Sequence, residues 1–103
     1  MSRKNSEYSL MKKITTMENM MQAFKKVRAN GGVAGVDMIG IQKYEQNLQS
    51  NLEDLACRIL EERYYPMPIR KVEIAKQSGG KRPLGILTIE DRIAQRAVKN
   101  ILE

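Results

Sequence analysis

The chain has 103 residues, a net charge of +6, one cysteine and no histidine. A chain of this length forms at most one domain with a modest core. Without histidine it cannot build a Cys-His zinc site or a Ser-His-Asp triad from its own residues, and one cysteine excludes an internal disulfide. The N-terminus has no apolar run long enough for a signal peptide or a membrane span. We therefore expect a cytoplasmic protein of a reducing compartment, in a bacterial cytosol or an organelle, with no membrane partner.

The positive charge is concentrated in two blocks. Residues 1–28 carry seven cations and two acids, and residues 68–83 carry five cations and one acid. Residues 29–67 are acidic, and residues 84–103 are balanced. A blocked basic distribution favours a polyanion such as a nucleic acid as partner. The alternative is that the charge serves solubility alone.

The N-terminal third is expected to begin with residues 1–15 as a basic flexible tail, or as a helix that needs a partner. Thr16 can cap a helix that runs to about Ala29, and Asn30-Gly31 supplies a stop because both residues tolerate left-handed geometry. The apolar face of this helix consists of Met17, Met20, Met21, Phe24 and Val27.

A glycine-rich loop follows at residues 30–40, which read NGGVAGVDMIG. Four glycines leave the backbone open to close approach by a ligand. The alternative is a flexible connector, and composition alone favours the connector. We expect the side chain of Asp37 to turn the loop.

A second helix is predicted from about Gln42 to Arg63, ended by Pro66 and Pro68. Its core stripe is formed by Tyr44, Leu48, Leu52, Leu55 and Ile59. Cys57 lies in this apolar stretch, and we interpret it as a small buried hydrophobic residue.

A basic hairpin is predicted next, with a first strand at Ile69–Lys76 and a tight turn at Gly79-Gly80. Because side chains alternate along a strand, one face carries Arg70, Val72, Ile74 and Lys76, and the other carries Lys71 and Glu73. Lys76 and Arg82 flank the turn and can converge on one anion. The alternative is a pair of solvated surface cations.

The last helix is predicted to begin after Thr88, with Asp91 as the acidic member of a capping box. Its apolar stripe, Ile89, Ile93, Ala97 and Ile101, remains periodic up to the end of the sequence. We therefore expect a fragment of a longer chain, and a stripe at residues 89–102 that is exposed and could support a dimer. No carboxylates are spaced for acid–base or metal chemistry, so we expect neither catalytic nor metal-binding residues in this chain.

Three segments in series, NGGVAGVD, YYPMPIRKVEIAK and GGKRPLGILTIEDRIAQRAVKNILE, resemble the N-terminal fingers region of group II intron-encoded reverse transcriptases and maturases. The resemblance covers about Met17 to Glu103 and none of the first fifteen residues. It implies a truncated fingers subdomain at residues 16–103, an α+β fold in which helices pack on the basic antiparallel hairpin. The palm is absent.

The resemblance also implies the roles of individual residues. Lys76 and Arg82 match the residues that bind the triphosphate of the incoming nucleotide. The residues expected to bind the RNA template are Asn30, Gly32, Val33, Gly35, Arg70, Lys71, Lys81, Leu84, Gly85 and Ile86.

The implied function is to grip template and nucleotide in an RNA-directed DNA polymerase, a nucleotidyltransferase that acts in the splicing and mobility of a group II intron. The partners would be intron or template RNA, and in the parent enzyme an RNA–DNA primer-template and dNTP. The fragment would need no cofactor, whereas the parent enzyme would use Mg²⁺. Two alternatives stay open: a non-catalytic maturase module that binds intron RNA, and a helical protein-interaction fragment.

Overall fold

A computed structural model describes residues 5–31 and 33–102 of the chain, with side chains from residue 9. Over these residues the protein is α+β, with five helices and one two-stranded antiparallel hairpin. The helices are α1 (Asn5–Ile14), α2 (Met17–Asn30), α3 (Ile41–Gln46), α4 (Leu48–Leu60) and α5 (Ile89–Leu102), and the strands are β1 (Arg70–Ala75) and β2 (Lys81–Ile86). No helix in this part of the chain is long and apolar enough to cross a membrane.

Residues 5–14 form a helix, which is the second of the two alternatives for the N-terminal segment. Ile14 is buried in the core, and α1 contacts α2, α4 and α5. The partner that this N-terminal helix was expected to need is therefore the rest of the same chain. Residues 1–4 of the predicted tail lie outside the described residues.

The predicted caps of α2 are confirmed. The Thr16 hydroxyl accepts a hydrogen bond from the Asn19 amide at 3.3 Å, and Gly31 ends the helix with a positive φ of 69°. The side chain of Asn19 is buried and joins three elements, because its Nδ2 donates to the carbonyls of Ile14 and Ala97. Sequence reasoning missed this role of Asn19.

The predicted second helix is broken at Asn47, which separates α3 from α4 and has non-helical dihedrals. The Asn51 side chain donates to the Tyr44 carbonyl at 2.9 Å and so supplies a partner to a carbonyl near the break. The stripe residues Tyr44, Leu52 and Leu55 are buried. Cys57, in contrast, is exposed and donates to Glu61, so its predicted burial was wrong.

The core is formed by the helices. Phe24 stacks on Tyr44 with ring centroids 6.3 Å apart, and the inner face of α5 packs on α2. The stripe expected to be exposed is instead buried within this chain: Ile89, Ile93 and Ala97 are each 0% exposed. The premise of a dimer through residues 89–102 was therefore wrong.

The hairpin projects from this helical body. Of the twelve strand residues only Ile86 is buried, so the helices pack on one another and not, as expected, on the hairpin. The Gly79 amide donates to the Lys76 carbonyl and the Lys76 amide to the Gly80 carbonyl, both at 3.1 Å. The turn therefore begins at Lys76, earlier than predicted, and both its last residue Gly79 and the next residue Gly80 have left-handed φ, of 93° and 78°.

Candidate nucleic-acid interface

The register of the hairpin divides its cations between two faces. Ile74 lies opposite Arg82, and Ala75 lies opposite Lys81. Residues that face each other across an antiparallel pair share a face of the sheet. The Lys76–Gly80 hydrogen bond extends the ladder by one pair, and alternation places Lys76 on the face of Ile74 and Arg82. We call this face, with Lys76 and Arg82, the Arg82 face.

The opposite face carries Lys71 and Lys81, together with Glu73 and Gly85. We call it the Lys71 face. Arg70 and Lys71, expected to act together on the template, therefore lie on different faces. Lys71 lies opposite Gly85, and a Cβ at Gly85 would come within 2.9 Å of the Ile69 side chain.

Four of the five hairpin cations, Lys71, Lys76, Lys81 and Arg82, are exposed, whereas Arg70 is half-buried. Among the described residues none of them lies within ion-pair distance of a carboxylate. Because these charges are not neutralised by the described part of the chain, they are available to an anionic ligand.

The glycine-rich loop is held by two arginines, Arg70 at the base of the hairpin and Arg92 on α5. Arg70 Nη1 donates to the Ala34 carbonyl at 2.9 Å, and Arg92 Nη2 donates to the Val33 carbonyl at 2.7 Å. The loop is thus held in place by charge-assisted hydrogen bonds. Sequence reasoning missed the contact of Arg92 with the loop.

Gly35 is buried against the start of α5. A Cβ at this position would lie 2.5 Å from the Thr88 Cα and 2.5 Å from its amide nitrogen. The glycine is therefore required by close approach of the chain's own backbone, a reason independent of any ligand. The predicted turn at Asp37 is confirmed, because its carboxylate accepts from the Ile39 amide at 3.1 Å.

The other expected template residues are dispersed. Asn30 is exposed at the end of α2, and the side chains of Val33 and Leu84 are 56% and 41% exposed. Ile86 is buried, which leaves its side chain out of reach of a template. Gly32 lies outside the described residues.

The loop between α4 and β1 is held by Asp91. The Asp91 carboxylate accepts from the Tyr64 hydroxyl and, at 2.9 Å, from the Met67 amide. Burial and this carboxylate raise the pKa of Tyr64 above its usual value. The Asp91 amide donates to the Thr88 hydroxyl at 3.0 Å, so Thr88 caps α5 as predicted. The Asp91 carboxylate, expected to cap the helix, holds residues 64–67 instead.

A second acid, the partly buried Glu90, joins α4 to α5. It accepts from Arg58 Nη2 at 2.5 Å and from the Tyr44 hydroxyl at 3.2 Å. Burial and the nearby Glu90 raise the pKa of Tyr44, which keeps the phenol protonated. Both acids at the start of α5 therefore have structural partners, and the described residues contain no group of three side chains that could hold a metal.

The architecture thus defines a small α+β unit that presents a basic hairpin with two cationic faces. No protein-family model matches the chain. It is 34% identical over 96 residues, 91% of its length, to protein YkfC of Escherichia coli (strain K12). It is also 54% identical over 41 residues, 39% of its length, to group II intron-encoded protein LtrA of Lactococcus lactis subsp. cremoris.

These similarities cover small parts of the relatives. The chain spans 25% of the length of YkfC, and the segment matched to LtrA is 7% of that protein. The second similarity links part of the chain to group II intron-encoded proteins.

Proposed function

We propose that this chain is a fingers segment of an RNA-directed DNA polymerase of the group II intron type, which grips template RNA and the triphosphate of an incoming nucleotide. The observation that carries the proposal is the division of the hairpin cations between two faces. Lys76 and Arg82 share one face, where a guanidinium fork and an ammonium suit a triphosphate. Lys71 and Lys81 share the other face, where they suit the phosphates of the template backbone.

The loop contacts support the same assignment. Arg70 holds the Ala34 carbonyl and so joins the loop to the hairpin, whereas Arg92 holds the Val33 carbonyl and joins the loop to α5. In this proposal Arg70 positions the loop, and Lys71 contacts the template. The similarity to LtrA agrees with an origin in a group II intron-encoded protein.

The chemistry of the parent enzyme would be done elsewhere in that protein. Nucleotidyl transfer by this type of enzyme uses Mg²⁺ held by carboxylates. The described residues bring no such ligands together, and the proposal assigns neither metal binding nor catalysis to any of them. The role of this segment is to neutralise and position phosphates.

RNA binding by the chain tests the proposal. We expect a fluorescein-labelled single-stranded 20-nucleotide RNA to bind with a steep salt dependence, measured by anisotropy. Lys71→Gln with Lys81→Gln should weaken binding and reduce the slope of log K against log salt by about 1.4, since each phosphate contact contributes about 0.7 on a single strand. Lys25→Gln with Lys43→Gln removes two exposed charges outside the hairpin and is the matched control.

The outcomes separate the alternatives. RNA binding with no measurable binding of dNTP to the Arg82 face would favour a maturase module that only binds intron RNA. No RNA binding at low salt, with the fold intact by circular dichroism, would overturn the proposal and favour a protein-interaction fragment.

A further inference from the structure

A basic groove lies between α2 and α5, away from the strands of the hairpin. It consists of two surface cavities of about 240 and 250 Å³ that share Arg96 and Lys99. Arg92 lines the first cavity, and Lys26 lines the second. We call these four residues and the cavities between them the α2–α5 groove.

The groove has the chemistry of an anion site. None of the residues that line either cavity, all in the described part of the chain, is Asp or Glu. The polar residues that join the cations are amides, among them Asn30 and Gln95 in the first cavity and Asn100 in the second. Amides and cations together can donate several hydrogen bonds to phosphate oxygens.

Arg96 provides a second observation. Its Nε is buried and has no hydrogen-bond acceptor among the described residues. A buried donor without an acceptor is unfavourable, and most such groups in proteins have a partner. An anionic oxygen in the groove would supply the missing acceptor, and hydrogen bonds between guanidinium and phosphate are among the strong ones.

The groove is continuous with the glycine-rich loop. Asn30 and Gly31, which line the first cavity, are the first two residues of the loop, and Arg92 holds the Val33 carbonyl. A strand that crosses the loop would therefore reach the groove next. Two cavities that share a wall suit successive phosphates of a polymer better than one free anion.

We infer that the α2–α5 groove binds the backbone phosphates of a single-stranded polynucleotide and extends its path beyond the loop. The inference rests on the proposed function, because it gives the same polymer a second contact. It adds Lys26, Arg92, Arg96 and Lys99 as phosphate-binding residues. The Lys26 Nζ, which donates to Asn100 at 3.2 Å, would be oriented by that contact.

The test compares adjacent lysines on α2. Lys26 lines the groove, whereas Lys25 lines neither cavity, and both are exposed. With the labelled RNA at one salt concentration, Lys26→Gln should weaken binding about threefold, and Lys26→Gln with Arg96→Gln about tenfold. Across a series of salt concentrations the double variant should lower the slope of log K against log salt by about 1.4. Lys25→Gln should leave both quantities near the wild-type values.

Further measurements identify the ligand and control for misfolding of the variants. The midpoint of thermal unfolding reports whether the Arg96 variant is folded. If Arg96→Gln unfolds the chain, Lys26→Gln alone still tests the groove, because it changes an exposed side chain. Inorganic phosphate and dTTP should compete with the RNA only at far higher concentration. Competition by phosphate as effective as that of unlabelled RNA would overturn the assignment to a polynucleotide.

The groove proposal and the hairpin proposal are contradicted by different results. Equal weakening by Lys25→Gln and Lys26→Gln would overturn the groove and leave the hairpin proposal intact. Weakening by the groove variants, with no effect of Lys71→Gln and Lys81→Gln, would support the groove and contradict the proposed template face. The two double variants together therefore separate the two claims.

Discussion

Arg70 at the start of β1 donates a hydrogen bond from Nη1 to the carbonyl of Ala34, at 2.9 Å. The two residues are 36 positions apart in the chain. This contact ties the base of the hairpin to the glycine-rich loop. The backbone of the loop is therefore positioned by the hairpin, which carries the four exposed cations of the proposed interface.

Arg70→Gln should release the loop. We expect faster amide hydrogen exchange in residues 33–39 and a loss of stability of about 1.5–3 kcal/mol, the usual scale for a hydrogen bond with a charged donor. Lys71→Gln is the matched control, because Lys71 is the next residue and lies on the opposite face. Equal exchange in both variants would mean that the contact does not order the loop.

Gly35→Ala should destabilise the fold, because the new Cβ would meet the Thr88 backbone at 2.5 Å. Overpacking of this kind costs about 1–3 kcal/mol. Gly40→Ala in the same loop has no atom within 4 Å of its Cβ and should cost a few tenths of a kcal/mol as an N-cap change. Urea unfolding of both variants measures the difference in stability. Similar losses of stability would contradict the close approach of Gly35 to the Thr88 backbone.

Asn19→Ala should cost about 1–3 kcal/mol, because the carbonyls of Ile14 and Ala97 would lose a buried donor. Ile14 is the last residue of α1, where a helix leaves carbonyls without intrahelical partners. Gln22→Ala, an exposed change on the same helix, should stay within about 0.5 kcal/mol. Thermal unfolding followed at 222 nm checks both variants. A small effect at Asn19 would show that α1 does not depend on it.

Glu90→Gln should weaken the joint between α4 and α5 by about 1 kcal/mol or more. Glu90 and Arg58 are 25% and 24% exposed, so solvent screens the pair only in part. The Glu61–Arg63 pair is more than half exposed, and Glu61→Gln should change stability little. If both substitutions lower the free energy of unfolding equally, the partly buried Arg58–Glu90 pair does not stabilise the fold more than the exposed pair does.

The sequence predicted the parts of the fold that depend on local pattern. The caps at Thr16 and Thr88, the stop at Gly31 and the turn at Asp37 follow from side chains that bond to nearby backbone. The break at Asn47 was not predicted, because the apolar period continues across it. Short-range patterns do not reveal such tertiary adjustments.

The long-range contacts of the site could not be predicted from the sequence either. Arg92, Arg96 and Lys99 recur at helical spacing, which could have indicated a cationic face, but the balanced charge of residues 84–103 concealed it. The burial of Ile89, Ile93 and Ala97 was missed because the amphipathic pattern did not reveal that α1 and α2 cover this stripe.

The central claim is that the two faces of the hairpin bind different ligands. The most direct measurement is a titration of the ¹⁵N-labelled chain with dTTP, followed by amide chemical shifts, in two double variants that each remove two cations. Lys76→Gln with Arg82→Gln should weaken binding at least threefold, whereas Lys71→Gln with Lys81→Gln should leave it near wild type. Equal loss in both variants, or no loss in the first, would contradict the account.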